Sequence, residues 1–293
     1  GFDLIITSAT GAYFPNSLKK GPAKLVCYCH TPPRYLYGLP TARQLTNFPP
    51  FRLLVALINH FLRFFDFRFA QNVDQFIANS QTTADRIWKF YRKPSVIINP
   101  PVDVPKFKIK NSKPKTSPKE YFLTGGRLAR AKRYDIAIQA CNQLKVPLKI
   151  FGRDFAGFRR ELEQISGPTI QFLGEVTQDQ KADLYRHAKA FIFCSDNEDF
   201  GIVPVESMAY GCPVVAYRSG GATETILEGK TGTFFDQLSP SSCASAIKNL
   251  SRLNLSPQAC ILRAKTYSSA VFVQRISSLI HRLLWRPRPC PFC

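Results

Sequence analysis

The chain of 293 residues is 45% hydrophobic and carries 40 Lys and Arg against 20 Asp and Glu, a formal charge of +20. That length suits two domains of ordinary size, and no run of about 18 uncharged apolar residues occurs, so no membrane span is expected. A positive excess draws nucleic acid, anionic lipid or anionic substrates, but the basic residues are dispersed, with modest clusters such as Lys106 to Lys119, and no nucleic-acid motif accompanies them. The nine cysteines are scattered, several within apolar runs. They read as buried thiols of a reducing compartment rather than a disulfide framework. The lone C-x2-C of Cys290 to Cys293 is half a zinc site at best and reads as a frayed tail. The opening GFDLIITSATGAYF lacks the layout of a signal peptide and reads at once as a strand without an initial Met, which hints at a fragment.

Residues 2–8 and 23–28 are short apolar runs that predict strands. Cys29-His30-Thr31-Pro32-Pro33-Arg34-Tyr35 follows the second, which puts His30 at the C-terminal end of a strand, where α/β sheets bind ligands. Residues 51–70 are apolar and helical in pattern, interrupted by Arg63, Asp66 and Arg68. Two readings fit: a buried helix whose charges pair or face solvent, or a surface that lies on a membrane through its aromatic and flanking Arg residues. Strands follow at 73–78 and 95–98, with a helix between them that begins at Asn79-Ser80. Residues 104–118, rich in Lys, Pro and Ser, read as a linker.

Beyond the linker, strand and helix signals alternate. Strands are expected at 120–124, 147–151, 169–173, 190–194, 213–217 and 232–235. Helices are expected at 132–144, 158–165, 178–188 with Thr177 as its cap, 241–253 and 272–285. Apolar strands alternating with helices predict a parallel sheet covered on both faces. Gly125-Gly126-Arg127-Leu128 forms the turn after the first of these strands, and Arg127 and Lys132 are placed to reach an anion at the strand ends. G-x-G-x-x-G, H-E-x-x-H and the P-loop pattern are absent, and no metal-ligand cluster stands out.

The most informative stretch is Ser195 to Ile226, in which Glu198 and Glu206 frame an E-x7-E spacing around Phe200-Gly201-Ile202. A Gly-centred turn lets backbone N–H groups approach a ligand, and the helix that follows aims its positive end at an anion such as a diphosphate. Carboxylates are strong acceptors for hydroxyls, so two of them flanking an anion site suggest a sugar at one end and a ribose at the other. Two Glu alone would read as a solvated acidic loop. The strand at 213–217, Gly220-Gly221 and a second helix start turn the reading towards a site.

This stretch closely resembles the donor-site signature of the GT-B glycosyltransferases of family 4, the retaining group 1 enzymes. CHTPPRY and the Asn99-Pro100-Pro101-Val102-Asp103 segment resemble the subgroup that includes O-antigen mannosyltransferases, with Tyr37-Gly38 where that subgroup has Trp-Asp. The resemblance implies a GT-B fold: an α/β protein of two Rossmann-like domains with parallel sheets facing a cleft. The parts would be an incomplete acceptor-side domain at 1–103, the linker at 104–118, the nucleotide-sugar donor domain at 119–270, and a C-terminal helix and tail at 271–293. It implies that Glu198 and His30 touch the donor sugar and that Glu206 binds the ribose. Arg127, Lys132, Gly126 and the Phe200-Gly201-Ile202 turn would hold the sugar diphosphate. The implied reaction is retaining transfer of a hexose, mannose from GDP-mannose, to a lipid-linked saccharide, with no cofactor and no metal. The implied partners are the nucleotide-sugar donor, the lipid-linked acceptor and an anionic membrane surface, without nucleic acid, for a protein peripheral on the cytoplasmic face of the membrane. The alternatives are a truncated, non-catalytic nucleotide-sugar binder and, on the charge alone, a basic nucleic-acid-binding protein.

Overall fold

The computed structural model describes residues 1–9, 14–39, 49–105 and 119–285, with the side chains of the first long helix described from Leu53 onward. Most of the expected linker at 104–118, and the Cys290 to Cys293 pair, lie outside the described residues. Two compact units divide the chain, residues 1–101 with 269–293, and residues 102–268.

The first unit is built on a parallel sheet of β1 (Leu4–Ala9), β2 (Lys24–Cys29), β3 (Gln75–Ala78) and β4 (Ser95–Ile97), in that spatial order. Pairing is in step from Leu4 opposite Lys24 onward. β2 is buried along almost its whole length, as a strand covered on both faces must be. One face packs Leu25, Cys27 and Phe76 against Ile87 and Tyr91. The two last residues come from α2 (Gln81–Tyr91), which starts where Ser80 accepts the Thr83 N–H. α1 (Pro49–Gln71) corrects the reading of residues 51–70 as a buried helix. Asn59, Arg63 and Asp66 turn inward, while Leu53, Phe61 and Phe64 stand 76%, 58% and 60% exposed. An apolar arc in the sequence marks a face but not which way that face points.

The second unit holds β5 (Tyr121–Gly125), α3 (Tyr134–Leu144), β6 (Leu148–Phe151), α4 (Phe158–Gln164), β7 (Ile170–Gly174), α5 (Gln178–His187) and β8 (Ala188–Phe193). These are followed by α6 (Ile202–Ala209), β9 (Val214–Tyr217), α7 (Ala222–Thr225), β10 (Gly232–Phe235), α8 (Pro240–Asn249) and α9 (Pro257–Lys265). All six strands are parallel in the order β10-β9-β8-β5-β6-β7. Alternate residues of β8 feed two cores: Phe191 and Phe193 pack with Val205 and Met208 on one side, Ala190 and Ile192 with Ile138 and Ile247 on the other. α5 carries the expected cap as a full capping box, with Thr177 and Gln180 bonded reciprocally. α3 starts two residues later than expected, because Arg130–Lys132 is a 3₁₀ turn and Arg133 adopts φ 50°. α8 ends sooner than expected and passes into a 3₁₀ turn over Leu250–Arg252.

α10 (Ser269–Leu284) belongs to the first unit, where Leu279 joins Val26, Tyr28, Ile77 and Ile98 on the second face of that sheet. Among the described residues seven cysteines, Cys27, Cys29, Cys141, Cys194, Cys212, Cys243 and Cys260, are buried thiols. No described helix is long and apolar enough to cross a membrane.

Candidate functional site

β5 and β8 lie side by side at the centre of the six-stranded sheet, and the chain leaves them in opposite directions, towards β7 from one and β10 from the other. In open α/β sheets such a reversal leaves a crevice beyond the C-terminal strand ends, because the two flanking connections diverge. The turn after β5 carries Gly126 and Arg127, the loop after β8 runs from Cys194 to Gly201, and the loop after β9 carries Gly220 and Gly221.

Within the β8 loop Glu198 is fixed from two sides. Its Oε2 accepts Ser195 Oγ at 2.7 Å and pairs with Lys132 Nζ. Lys132 Nζ also lies 6.0 Å from the centre of the Phe193 ring, within cation–π range. The loop itself is tied down by its backbone. Asn197, at φ 53°, donates its N–H to Ser219 Oγ at 3.0 Å, and Ser219 Oγ donates to Asp196 Oδ1 at 2.8 Å. The Gly221 N–H donates to the Glu198 carbonyl at 2.9 Å. A Cβ on Gly220 would overlap that carbonyl, and one on Gly221 would overlap the Phe200 backbone, so the double Gly is a packing requirement of the loop. Phe200 is buried and meets the Tyr267 ring edge-on at 5.3 Å.

Gly201, at φ 85°, turns the chain into α6, and no side chain caps that helix. Pro204 at its third position has no N–H, so the uncapped first turn offers the Ile202 and Val203 amides. Ile202 is 42% exposed beside them. Glu206, a turn further on, accepts Lys181 Nζ at 3.1 Å and the Tyr185 hydroxyl at 3.4 Å, both at Oε2. Burial, and next the Glu206 carboxylate, hold the Tyr185 phenol far above its usual range, so it stays a hydroxyl that donates. The Gly126 N–H donates to the Phe151 carbonyl at 3.0 Å. Arg127 is exposed, with its guanidinium over the Phe155 ring at 5.1 Å.

Of the residues singled out in the sequence, Lys132 and Glu198 are thus in direct contact, and Gly201, Ile202 and Glu206 share one helix start. His30 stands in the first unit at the end of β2. Its ring Nε2 is 2.9 Å from Ser8 Oγ, and its carbonyl accepts Asn79 Nδ2 at 2.9 Å. Three partners escaped the sequence reading: Ser195, Lys181 and Tyr185. Ser195 stands three residues before Glu198 in the motif itself. Lys181 and Tyr185 sit one turn apart on α5, and nothing in α5 by itself points to Glu206, 25 and 21 residues on. Among the described residues no cluster of three or more His, Cys, Asp or Glu could hold a metal ion.

The family model described as Glycosyl transferases group 1 matches residues 105–267. The chain is 46% identical over 67 residues to the Neurospora crassa alpha-1,3/1,6-mannosyltransferase alg-2, a match covering 23% of this chain and 14% of that protein. The matches span less than half the length of such curated relatives. Among solved structures it resembles sucrose-phosphate synthase from Thermosynechococcus elongatus, with TM-score 0.75 and 18% identity over 96% of this chain and 74% of that one. It likewise resembles Anabaena Alr3699/HepE in complex with UDP, with TM-score 0.70 and 20% identity over 96% of this chain and 79% of that one. These two likenesses identify the α/β architecture with parallel sheets as the GT-B fold. The family match spans more than half of the chain and contains the whole turn-and-carboxylate constellation from Gly126 to Glu206, and on that ground the chain belongs to the group 1 glycosyl transferases.

Proposed function

We propose that the protein transfers a hexosyl group from a nucleoside-diphosphate sugar to a lipid-linked saccharide, with retention at the anomeric carbon. The observation that carries this reading is that both carboxylates of the E-x7-E motif are held by lysines on either side of an uncapped helix start. An amine-fixed carboxylate is oriented yet keeps acceptor capacity for a hydroxyl. Lys181 and Tyr185 both meet Glu206 at Oε2, which leaves Oε1 for a ribose hydroxyl. Glu198 takes hydroxyls of the donor sugar, and the Ile202 and Val203 amides take diphosphate oxygens with help from the helix dipole. Lys132 and Arg127 offset the charge that develops on the leaving diphosphate. His30 keeps the donor-sugar role that the family resemblance implies.

In the reaction the bond from the anomeric carbon to the diphosphate breaks, and a bond to the acceptor oxygen forms on the same face. The acceptor proton passes to the leaving phosphate oxygen, so no protein base is required. Mannose from GDP-mannose is the donor favoured by the subgroup resemblance and by the mannosyltransferase relative. UDP in the Anabaena structure makes UDP-sugars the competing choice. The acceptor places the protein peripherally on the cytoplasmic face of a membrane, where each basic residue near anionic lipid contributes about 1 kcal/mol. Metal independence rests on the resemblance, and turnover undiminished by EDTA is its expected readout.

The test is a donor screen with GDP-mannose, UDP-glucose and UDP-N-acetylglucosamine, joined to calorimetry of GDP and UDP binding to Glu206→Ala. Loss of a charge-assisted hydrogen bond should weaken the preferred nucleotide about 10-fold or more. Unchanged affinity for both nucleotides would overturn the assignment. Nucleotide-sugar binding without turnover would favour the non-catalytic binder. Salt-sensitive duplex binding without nucleotide-sugar affinity would favour a nucleic-acid protein.

A further inference from the structure

α1 is amphipathic in reverse. Beside Phe69 and Ala70, the side facing the protein carries the hydrogen-bonding residues: Asn59 Nδ2 donates to the Tyr35 carbonyl at 3.4 Å and Arg63 Nη1 to the Leu36 carbonyl at 3.1 Å. Asp66 Oδ2 accepts the hydroxyls of Tyr37 and Tyr91, both at 2.9 Å. The opposite side is a stripe of Leu53, Leu57, Phe61 and Phe64, at the spacings of four, four and three that align residues on one helix face. Ile58 and Phe65 widen it, and all six are exposed. Arg68 continues the same stripe one turn beyond Phe64 and is exposed as well. A helix that spends its hydrogen bonds inward and shows its large apolar residues outward is built for a second apolar phase.

We propose that this face of α1 lies in the headgroup–acyl boundary of an anionic bilayer, with the Leu and Phe stripe inserted and Arg68 reaching lipid phosphate. The charge around the stripe favours an anionic lipid surface over a protein partner. At a bilayer surface a long cationic side chain such as Arg68 buries its stem and keeps its head among phosphates. The surrounding charge agrees with an anionic surface: residues 1–101 carry twelve Lys and Arg against four Asp and no Glu. Two of those four are engaged within the fold, Asp66 by the two tyrosines and Asp74 by Lys20 and the Leu25 N–H. The inference gives a surface to the membrane attachment in the functional reading above and rests on it only for its biological purpose.

The test is vesicle flotation of the full chain with phosphatidylcholine alone and with phosphatidylcholine containing phosphatidylglycerol, at low and high salt. The wild type should float with anionic vesicles and keep a salt-resistant fraction, because an inserted stripe does not depend on charge. Phe61→Ser/Phe64→Ser should cut the bound fraction at least 10-fold and abolish the salt-resistant part, with the circular dichroism spectrum unchanged. Arg68→Gln should weaken binding to anionic vesicles alone. Flotation of the double variant equal to wild type overturns the proposal. So does a wild-type dimer in sedimentation that the double variant dissociates, since the stripe then covers a second copy. Nucleotide affinity, measured on the same variants, separates the two ideas: flotation lost with nucleotide binding intact supports this surface, and nucleotide binding absent with flotation intact counts against the enzyme alone.

Discussion

A carboxylate that must take a sugar hydroxyl at every turnover needs its own orientation fixed first, and Lys132 with Ser195 supplies this for Glu198. Lys132→Met removes the stronger of the two contacts and one positive charge beside the proposed diphosphate. It should lower kcat/KM by about 10- to 100-fold, the range expected for one charge-assisted hydrogen bond. Steady-state kinetics against donor concentration checks this, and a change confined to acceptor KM would contradict it. Asp66 makes a different prediction. Burial raises its pKa, and the hydroxyls of Tyr37 and Tyr91 only partly oppose this. A group whose folded pKa is raised contributes stability that is fully present below its ordinary value, about 4 for a carboxylate, and loses it as pH rises through the folded value. Asp66→Asn keeps an acceptor for both hydroxyls and cannot ionise. Its Tm relative to wild type should therefore climb between pH 4 and pH 8. A pH-independent difference would mean that Asp66 does not titrate within the fold.

At the scale of elements, the two helix starts of the site depend on glycine for different reasons. Gly201 has room for a Cβ, with Pro204 Cγ the nearest atom at 3.7 Å, so Gly201→Ala meets only the left-handed φ of 85°. That costs roughly 1–2 kcal/mol, a Tm drop of about 2–8 °C in a protein of this size class. Gly221→Ala drives a methyl into the Phe200 backbone and must displace the loop that carries Glu198. It should lower both Tm and nucleotide affinity by more than Gly201→Ala does, as differential scanning fluorimetry and calorimetry would read. The sequence shows the strand–helix alternation of the second unit plainly, because central strands such as β9, Val214–Tyr217, are unbroken apolar runs. α9 escaped notice although Ser256 and Pro257 are a cap and first-position pair. Its buried positions, Cys260 and Ala264, are small, so its inward face is faint in the sequence. The E-x7-E motif and its turn are local in the chain and were legible. The Lys132–Glu198 contact, by contrast, joins residues 66 positions apart and exists only once β5 and β8 lie together. For α1 the periodicity identified the helix, while its orientation depends on Asp66 finding two tyrosines elsewhere in the chain.

At the scale of the whole molecule, a ligand that binds only the folded second unit stabilises it through mass action. At a nucleotide concentration about 100 times Kd the gain is about 2.7 kcal/mol, and the Tm of the transition belonging to residues 102–268 should rise accordingly. The buried thiols turn this into a measurement with spatial resolution. Each folded thiol is shielded from alkylating reagents, so its rate of modification counts how often its surroundings open. Cys27 and Cys29 report on one unit, and Cys141, Cys194, Cys212, Cys243 and Cys260 on the other. With saturating nucleotide at about 100 Kd, labelling of the second group should slow by about 100-fold while that of Cys27 and Cys29 holds steady. Equal slowing at Cys27 would mean that the two units open as one cooperative body. The chain thus carries its own set of silent clocks, one group in each core, ready to be read by mass spectrometry without a single engineered label.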